Sequence, residues 1–150
     1  MNYSKLSLFN FSFLFGVLVF IGFSCKKPGN EVKISSLKCE YLVNPIGIDS
    51  PSPRFVWQIS AEKPGKSQIA CEIIVGTDSL AIVNGKGNLW DSGKINTNAS
   101  LAVYSGESML PFSKYFWRVK IWDEKGIPSK WSDIASFETG MINSNNWQGD

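Results

Sequence analysis

Histidine is absent from the chain. A Ser-His-Asp or Cys-His relay needs an imidazole to take and return a proton near neutral pH, so both are excluded, together with the usual His-ligated metal sites. Cysteine is scarce. The three present, Cys25, Cys39 and Cys71, lie too far apart in sequence for a zinc ribbon or a CxxC redox pair. No metal and no cofactor is therefore expected. An excess of one charge is also lacking, since 15 Lys and Arg stand against 13 Asp and Glu. With no basic stripe to neutralise phosphates, nucleic acid is not an expected partner. Gly85-Lys86-Gly87 lacks the further glycine and the Lys-Ser/Thr ending of a phosphate-binding loop, and it reads as a turn.

What is present begins with a leader. Residues 1–24 combine a positive start at Lys5 with an apolar run from Phe11 to Phe23, broken only by Ser12. That run suits a secretory signal and is shorter than the ~20 residues that span a bilayer. Gly22-Phe23-Ser24-Cys25 follows directly. It resembles a bacterial lipobox, in which the chain is cut before the cysteine and the thiol is acylated, although Gly22 stands where Leu, Val or Ile is usual. The reading is a lipoprotein signal over 1–24, lipidation at Cys25 and a polar linker over 25–33. A plain secretory signal cut near Ser24 and an uncleaved anchor are the alternatives. Several acyl chains on one cysteine anchor durably where a single chain does not. The expected location is the bacterial cell envelope, facing the periplasm or the cell surface.

From Ile34 the pattern has period two, with turn residues between short runs. This predicts an all-β antiparallel sandwich of about seven strands over 34–140, of immunoglobulin or fibronectin type III kind. The first strand is placed over Ile34–Val43, with Leu37, Cys39 and Tyr41 on one face. The second, Arg54–Ser60, turns Phe55, Trp57 and Ile59 inward. The third, Gln68–Val75, aligns Ile69, Cys71, Ile73 and Val75. Leu89–Gly93 reads as an edge strand and Ala99–Tyr104 as the next. Tyr115–Trp122 has the strongest alternation, with Tyr115, Trp117, Val119 and Ile121 against Phe116, Arg118, Lys120 and Trp122. Ile134–Thr139 closes the fold. Trp57, Tyr115 and Trp117 are the fold-defining aromatics.

Leu110-Pro111-Phe112-Ser113-Lys114-Tyr115 sets a tyrosine at the head of the strongest strand, five residues after a leucine. This looks like the tyrosine corner of fibronectin type III domains, whose hydroxyl bonds to backbone a few residues upstream. More distinctive is Leu37-Lys38-Cys39-Glu40-Tyr41-Leu42-Val43-Asn44-Pro45-Ile46-Gly47-Ile48-Asp49, followed by Pro51, Pro53-Arg54 and Trp57. With Leu89-Trp90-Asp91-Ser92-Gly93-Lys94, Tyr115-Phe116-Trp117-Arg118-Val119, Trp122-Asp123 and Trp131-Ser132, it resembles the start of bacterial α-L-rhamnosidases from about Leu37 to Trp147.

That resemblance implies a non-catalytic accessory sandwich preceding further β-sandwich domains and a helical barrel that cleaves terminal α-L-rhamnose with inversion. Residues 141–150 would begin the link to a downstream catalytic domain, one expected partner beside the membrane and rhamnosylated plant-type glycans. No acidic residue matches the family's catalytic pair. Asp123-Glu124 reads as a solvated turn, because inversion needs two carboxyls held ~6.5–9.5 Å apart across a cleft. Hydrolysis by the chain alone is not expected, and no catalytic residue is assigned. Trp122 and Trp147 are candidates either for stacking a sugar or for docking a neighbouring domain, since amphipathic indoles suit both. Trp90 and Trp131 are expected to cover the sandwich edges. Cys39 and Cys71 face inward on opposite sheets, and buried free thiols are preferred over a bridge. An independent envelope binding or adhesion module is the other functional reading.

Overall fold

The computed structural model describes residues 32–61 and 64–142. The leader, Cys25, most of the linker and Trp147 lie outside the described residues. Eight strands and one short helix run in the order β1 (Val32–Cys39), β2 (Arg54–Ala61), β3 (Gln68–Gly76), α1 (Ser79–Val83), β4 (Trp90–Asp91), β5 (Ile95–Asn96), β6 (Leu101–Val103), β7 (Lys114–Asp123) and β8 (Ala135–Glu138). They form two sheets, one ordered β1-β2-β6 and the other β4-β3-β7-β8, with β5 also paired to β3. All of these strand pairings are antiparallel. β4 meets Ile74 and Val75 while β5 meets Ala70 and Cys71, so the two lie end to end along one edge of β3. The expected all-β sandwich is the fold.

Alternation builds the core. On β7, Tyr115, Trp117, Val119 and Ile121 are buried, while Phe116, Arg118, Lys120 and Trp122 are half-buried on the outer face. A strand sends successive side chains to opposite faces, so this one segment lines the sandwich interior along its whole length. From the facing sheet, β2 contributes Phe55, whose ring centroid lies 4.6 Å from Trp117 and 5.7 Å from Phe137. Burying each such side chain stabilises by roughly 1.5–3 kcal/mol. Trp90 sits on the edge strand β4 and is half-buried against the core. Its ring stacks on Phe55 at 6.3 Å and meets Tyr104 edge-on at 5.3 Å, so it belongs to the core wall.

Three local features differ from expectation. β1 stops at Cys39, because Glu40 and Tyr41 take left-handed backbone conformations (φ 47° and 64°) that break the ladder. Tyr41 is thereby exposed, not inward. A register shift between Gln68 and Ala70 turns Gln68 into the interior and Ile69 outward, reversing the face expected for Ile69. Ser79–Val83 is a single helical turn capped by Asp78, whose carboxylate accepts from the Leu80 N–H at 2.8 Å. The sequence there shows only a looser region, through Gly87.

Cys39 on β1 and Cys71 on β3 are free thiols, both buried. Burial, with the nearby Glu40 charge, pushes Cys39 up to about 12, and burial alone pushes Cys71 up to about 11.

Candidate functional site

Three clusters of chemistry-bearing side chains stand out among the described residues, and each is best understood from what already satisfies it.

The first surrounds Trp122 on the outer face of the larger sheet. Every second residue of β7 projects there, so Arg118, Lys120 and Trp122 form one row. Lys120 Nζ lies 5.0 Å from the Trp122 ring centroid and 4.5 Å from that of Trp131. Lys94 Nζ lies 4.8 Å from the Trp122 ring. Lys120 is also paired with Glu72 of β3 at 2.9 Å. Arg118 donates from Nε to the Ser132 carbonyl at 2.6 Å and from an Nη to the Val83 carbonyl at 3.0 Å. The result is a ladder of alternating cations and indoles that pins the β7–β8 connection and α1 to the sheet. Each cation over an indole face is worth about 0.5–1 kcal/mol at an exposed site. Trp122 and Trp131 are thus engaged with lysines of their own domain. Neither lysine was singled out in the sequence, although Lys120 was placed on the correct face of its strand.

The second cluster is the pair Asp123-Glu124 with Lys66. Lys66 Nζ contacts Asp123 Oδ2 at 2.9 Å and Glu124 Oε1 at 2.8 Å. Asp123 Oδ1 accepts from the backbone N–H groups of Lys125 and Ile127, each at 2.9 Å. Burial alone would raise the Asp123 carboxyl. The Lys66 ammonium and these two N–H donors outweigh it and hold the group below the ordinary carboxylate range. The hydrogen bond from Lys66 lowers Glu124 as well. A general acid for glycoside cleavage needs the opposite shift, a proton retained near neutral pH. This cluster is a braced turn in which Asp123 is buried, not the solvated turn expected.

The third is a shallow groove of about 360 Å³ between β1 and the approach to β8, lined by Lys33, Ser35, Leu37, Asn44, Asp133 and Ile134 among others. Among the described residues, Asp133 is the only carboxylate lining it. No group of three or more His, Cys, Asp or Glu able to hold a metal occurs among the described residues.

The remaining fold-defining residues are interior. Tyr115 and Trp57 are buried, and their polar ends are bonded. The Leu110 N–H donates to the Tyr115 hydroxyl at 2.7 Å, and Trp57 Nε1 donates to Gln68 Oε1 at 3.0 Å. Gln68 Nε2 in turn donates to the carbonyls of Ala99 at 2.8 Å and Thr97 at 3.3 Å. Gln68 therefore ties β2 of one sheet to β3 of the other and to the loop before β6. The sequence offered no sign of this role, because the bulge that turns Gln68 inward has no compositional signature.

An antiparallel sandwich with a three-stranded sheet, a broken edge strand and a tyrosine bonded to the loop ahead of its own strand defines an immunoglobulin-like domain. The family model described as "Rha78A-like, N-terminal immunoglobulin domain" matches residues 34–143, and the chain belongs to that family. An α-L-rhamnosidase of Formosa agariphila is 34% identical over 151 residues, a match covering 98% of this chain and 15% of the relative. The solved α-L-rhamnosidase of Dictyoglumus thermophilum superposes with a TM-score of 0.76 at 34% identity, over 81% of this chain and 14% of that one. The Streptomyces avermitilis α-L-rhamnosidase, solved in complex with L-rhamnose, gives 0.73 at 31% identity, over 78% and 11%. The chain thus spans a small fraction, 11–15%, of the curated relatives it matches.

Proposed function

We propose that this chain is the non-catalytic N-terminal accessory sandwich of an exported α-L-rhamnosidase, acting on terminal α-L-rhamnose through a catalytic part that the sandwich itself does not supply. The observation that carries this reading is the match over 34–143 to a domain that makes up only a small part of the related enzymes. The state of the acids supports it. Asp123 and Glu124 are committed to Lys66, and among the described residues one carboxylate lines the groove beside β1 where inverting hydrolysis needs two. Its role is to hold and position the catalytic part. The leader and Cys25 add a lipid tether in the bacterial cell envelope, which keeps the enzyme where rhamnosylated glycans of plant type are met. In this reading the indoles of Trp122 and Trp131 are structural.

The test is hydrolysis of an aryl α-L-rhamnoside by the purified 150-residue chain, measured beside a related full-length enzyme at equal concentration. Release indistinguishable from buffer is expected. Turnover that tracks the chain through purification would overturn the accessory role.

A further inference from the structure

We propose that the pole carrying Ile46, Leu110 and Phe112 is the docking surface for the domain that follows residue 142 in α-L-rhamnosidases, and that it holds that domain at a fixed angle. The inference rests on the accessory reading above and specifies its interface.

Two loops converge on the end of β8. On one side, Glu138 donates its N–H to the Pro45 carbonyl at 2.8 Å, while Gly47 and Ile48 donate to the Glu138 carbonyl at 3.0 and 2.9 Å. Gly140 then donates to the Ile48 carbonyl at 2.9 Å. On the other side, Phe112 donates to the Gly140 carbonyl at 3.2 Å, Thr139 to the Ser113 carbonyl at 2.9 Å, and the Thr139 hydroxyl to the Leu110 carbonyl at 2.6 Å. The departing chain is clasped from both flanks as far as Gly140. A Cβ at Gly140 would displace the Asp49 carboxylate and press on the Gly47 backbone, so the clasp is tight at this point. Ile142, just beyond, still packs against the core. A swivelling linker would show none of this bonding; here the exit direction is set by the fold.

Around that exit stand the three most exposed large apolar side chains of the pole, Ile46 at 79%, Phe112 at 72% and Leu110 at 68%. Phe112 also holds a left-handed backbone conformation, φ 50°, which is costly for an aromatic residue. Hydrophobic groups crowded on one surface mark an interaction site more often than scattered ones do. The occupant follows from position. The matched family is an N-terminal domain and the related enzymes are far longer than this chain, so in them the next domain begins at this pole.

The test replaces the matching segment of the Formosa agariphila relative with residues 34–142 of this chain, alone or with Ile46→Ser, Leu110→Ser and Phe112→Ser together. The control carries Ile69→Ser and Ile127→Ser, exposed apolar residues at the opposite end of β3 and β7. In the isolated 150-residue chain, the triple variant should unfold at the parental temperature, because none of the three is buried. In the graft, amide exchange over 110–113 and 138–142 should be slower than in the isolated chain. The triple variant should abolish that protection and lower the midpoint of the grafted domain by about 5 °C or more, and the control should do neither. Equal exchange in graft and isolated chain, or equal loss in the control, overturns the docking surface. Rhamnoside hydrolysis separates the two readings. An active graft without protection at the pole rejects the interface alone, whereas hydrolysis by the isolated 150-residue chain rejects the accessory role as well.

Discussion

The Leu110 N–H and the Tyr115 hydroxyl meet at 2.7 Å, and the hydroxyl bonds back to the Leu110 carbonyl at 3.3 Å. One side chain thus satisfies both backbone groups of a loop residue, and it does so from inside the core, where Tyr115 also packs on Phe137 at 5.3 Å. The bond fixes how the chain enters β7, the strand on which the larger sheet is built. Tyr115→Phe keeps the ring and removes only the hydroxyl. It should cost roughly 1–3 kcal/mol, the penalty for stranding a part-buried N–H, read as a lower urea midpoint with an unchanged slope. A midpoint equal to the parent would mean that water replaces the hydroxyl at no cost.

Two buried tryptophans provide an internal comparison. Trp57 Nε1 is bonded to Gln68, whereas Trp117 Nε1 is buried with no partner among the described residues. Replacement by Phe makes a similar cavity at either site. At Trp57 it also leaves Gln68 Oε1 unpaired in the interior; at Trp117 it removes an unsatisfied donor. Trp57→Phe should therefore be the more destabilising by about 1–3 kcal/mol. Gln68→Leu should approach the Trp57→Phe value, because it frees the same indole and the carbonyls of Thr97 and Ala99. Chemical denaturation of the three variants decides it, and equal losses at both tryptophans would show that Gln68 bridges nothing of consequence.

The sandwich was legible in the sequence wherever alternation ran unbroken. β7 keeps period two through Lys114–Asp123 and β2 through Arg54–Ala61, and both lie where the pattern put them to within a residue or two. Legibility failed where one residue changes the register. At Gln68 the bulge turns Gln68 inward and Ile69 outward while Cys71, Ile73 and Val75 stay inward, and at Glu40-Tyr41 two left-handed residues end a strand that hydrophobicity would have continued. The five residues of α1 are too few for a helical period to register. The cation–indole ladder was hidden for a different reason. Lys94, Lys120, Trp122 and Trp131 come from separate segments, and only the sheet pairing brings them together.

The Asp123–Lys66 bracing makes stability depend on acid. Asp123 and Glu124 titrate below their unfolded values in the folded state, which lie near ~3.9 and ~4.3. A carboxyl with a depressed folded pKa contributes its full stabilisation above the unfolded pKa and loses it as pH falls through the folded one. The melting temperature should therefore hold steady from neutrality to about pH 5 and then drop, the window set by those unfolded values. Asp123→Asn should lower the plateau and flatten the acid limb. An acid limb of unchanged steepness in that variant would assign the effect to other carboxylates.

Burial of Cys39 and Cys71 sets their reactivity. A thiolate is the reacting species, and these thiols ionise only near about 12 and about 11. Iodoacetamide at pH 8 should leave both unmodified in the native protein and label both in denaturant, as mapped by peptide mass spectrometry. A peptide joining Cys39 to Cys71 under non-reducing digestion would replace the free-thiol state with a bridge between the sheets.

The proposed lipidation assigns Cys25 the opposite behaviour, acylation in the envelope in place of packing. Its position directly after an apolar leader run is the whole argument. In a bacterial host supplied with a labelled fatty acid, the parent chain should incorporate label and sediment with membranes, while Cys25→Ala should lose the label and leave the membrane fraction. Retained label would move the attachment elsewhere. Loss of label with continued sedimentation would identify an uncleaved anchor over the leader, and it would place the domain at the membrane without a lipid.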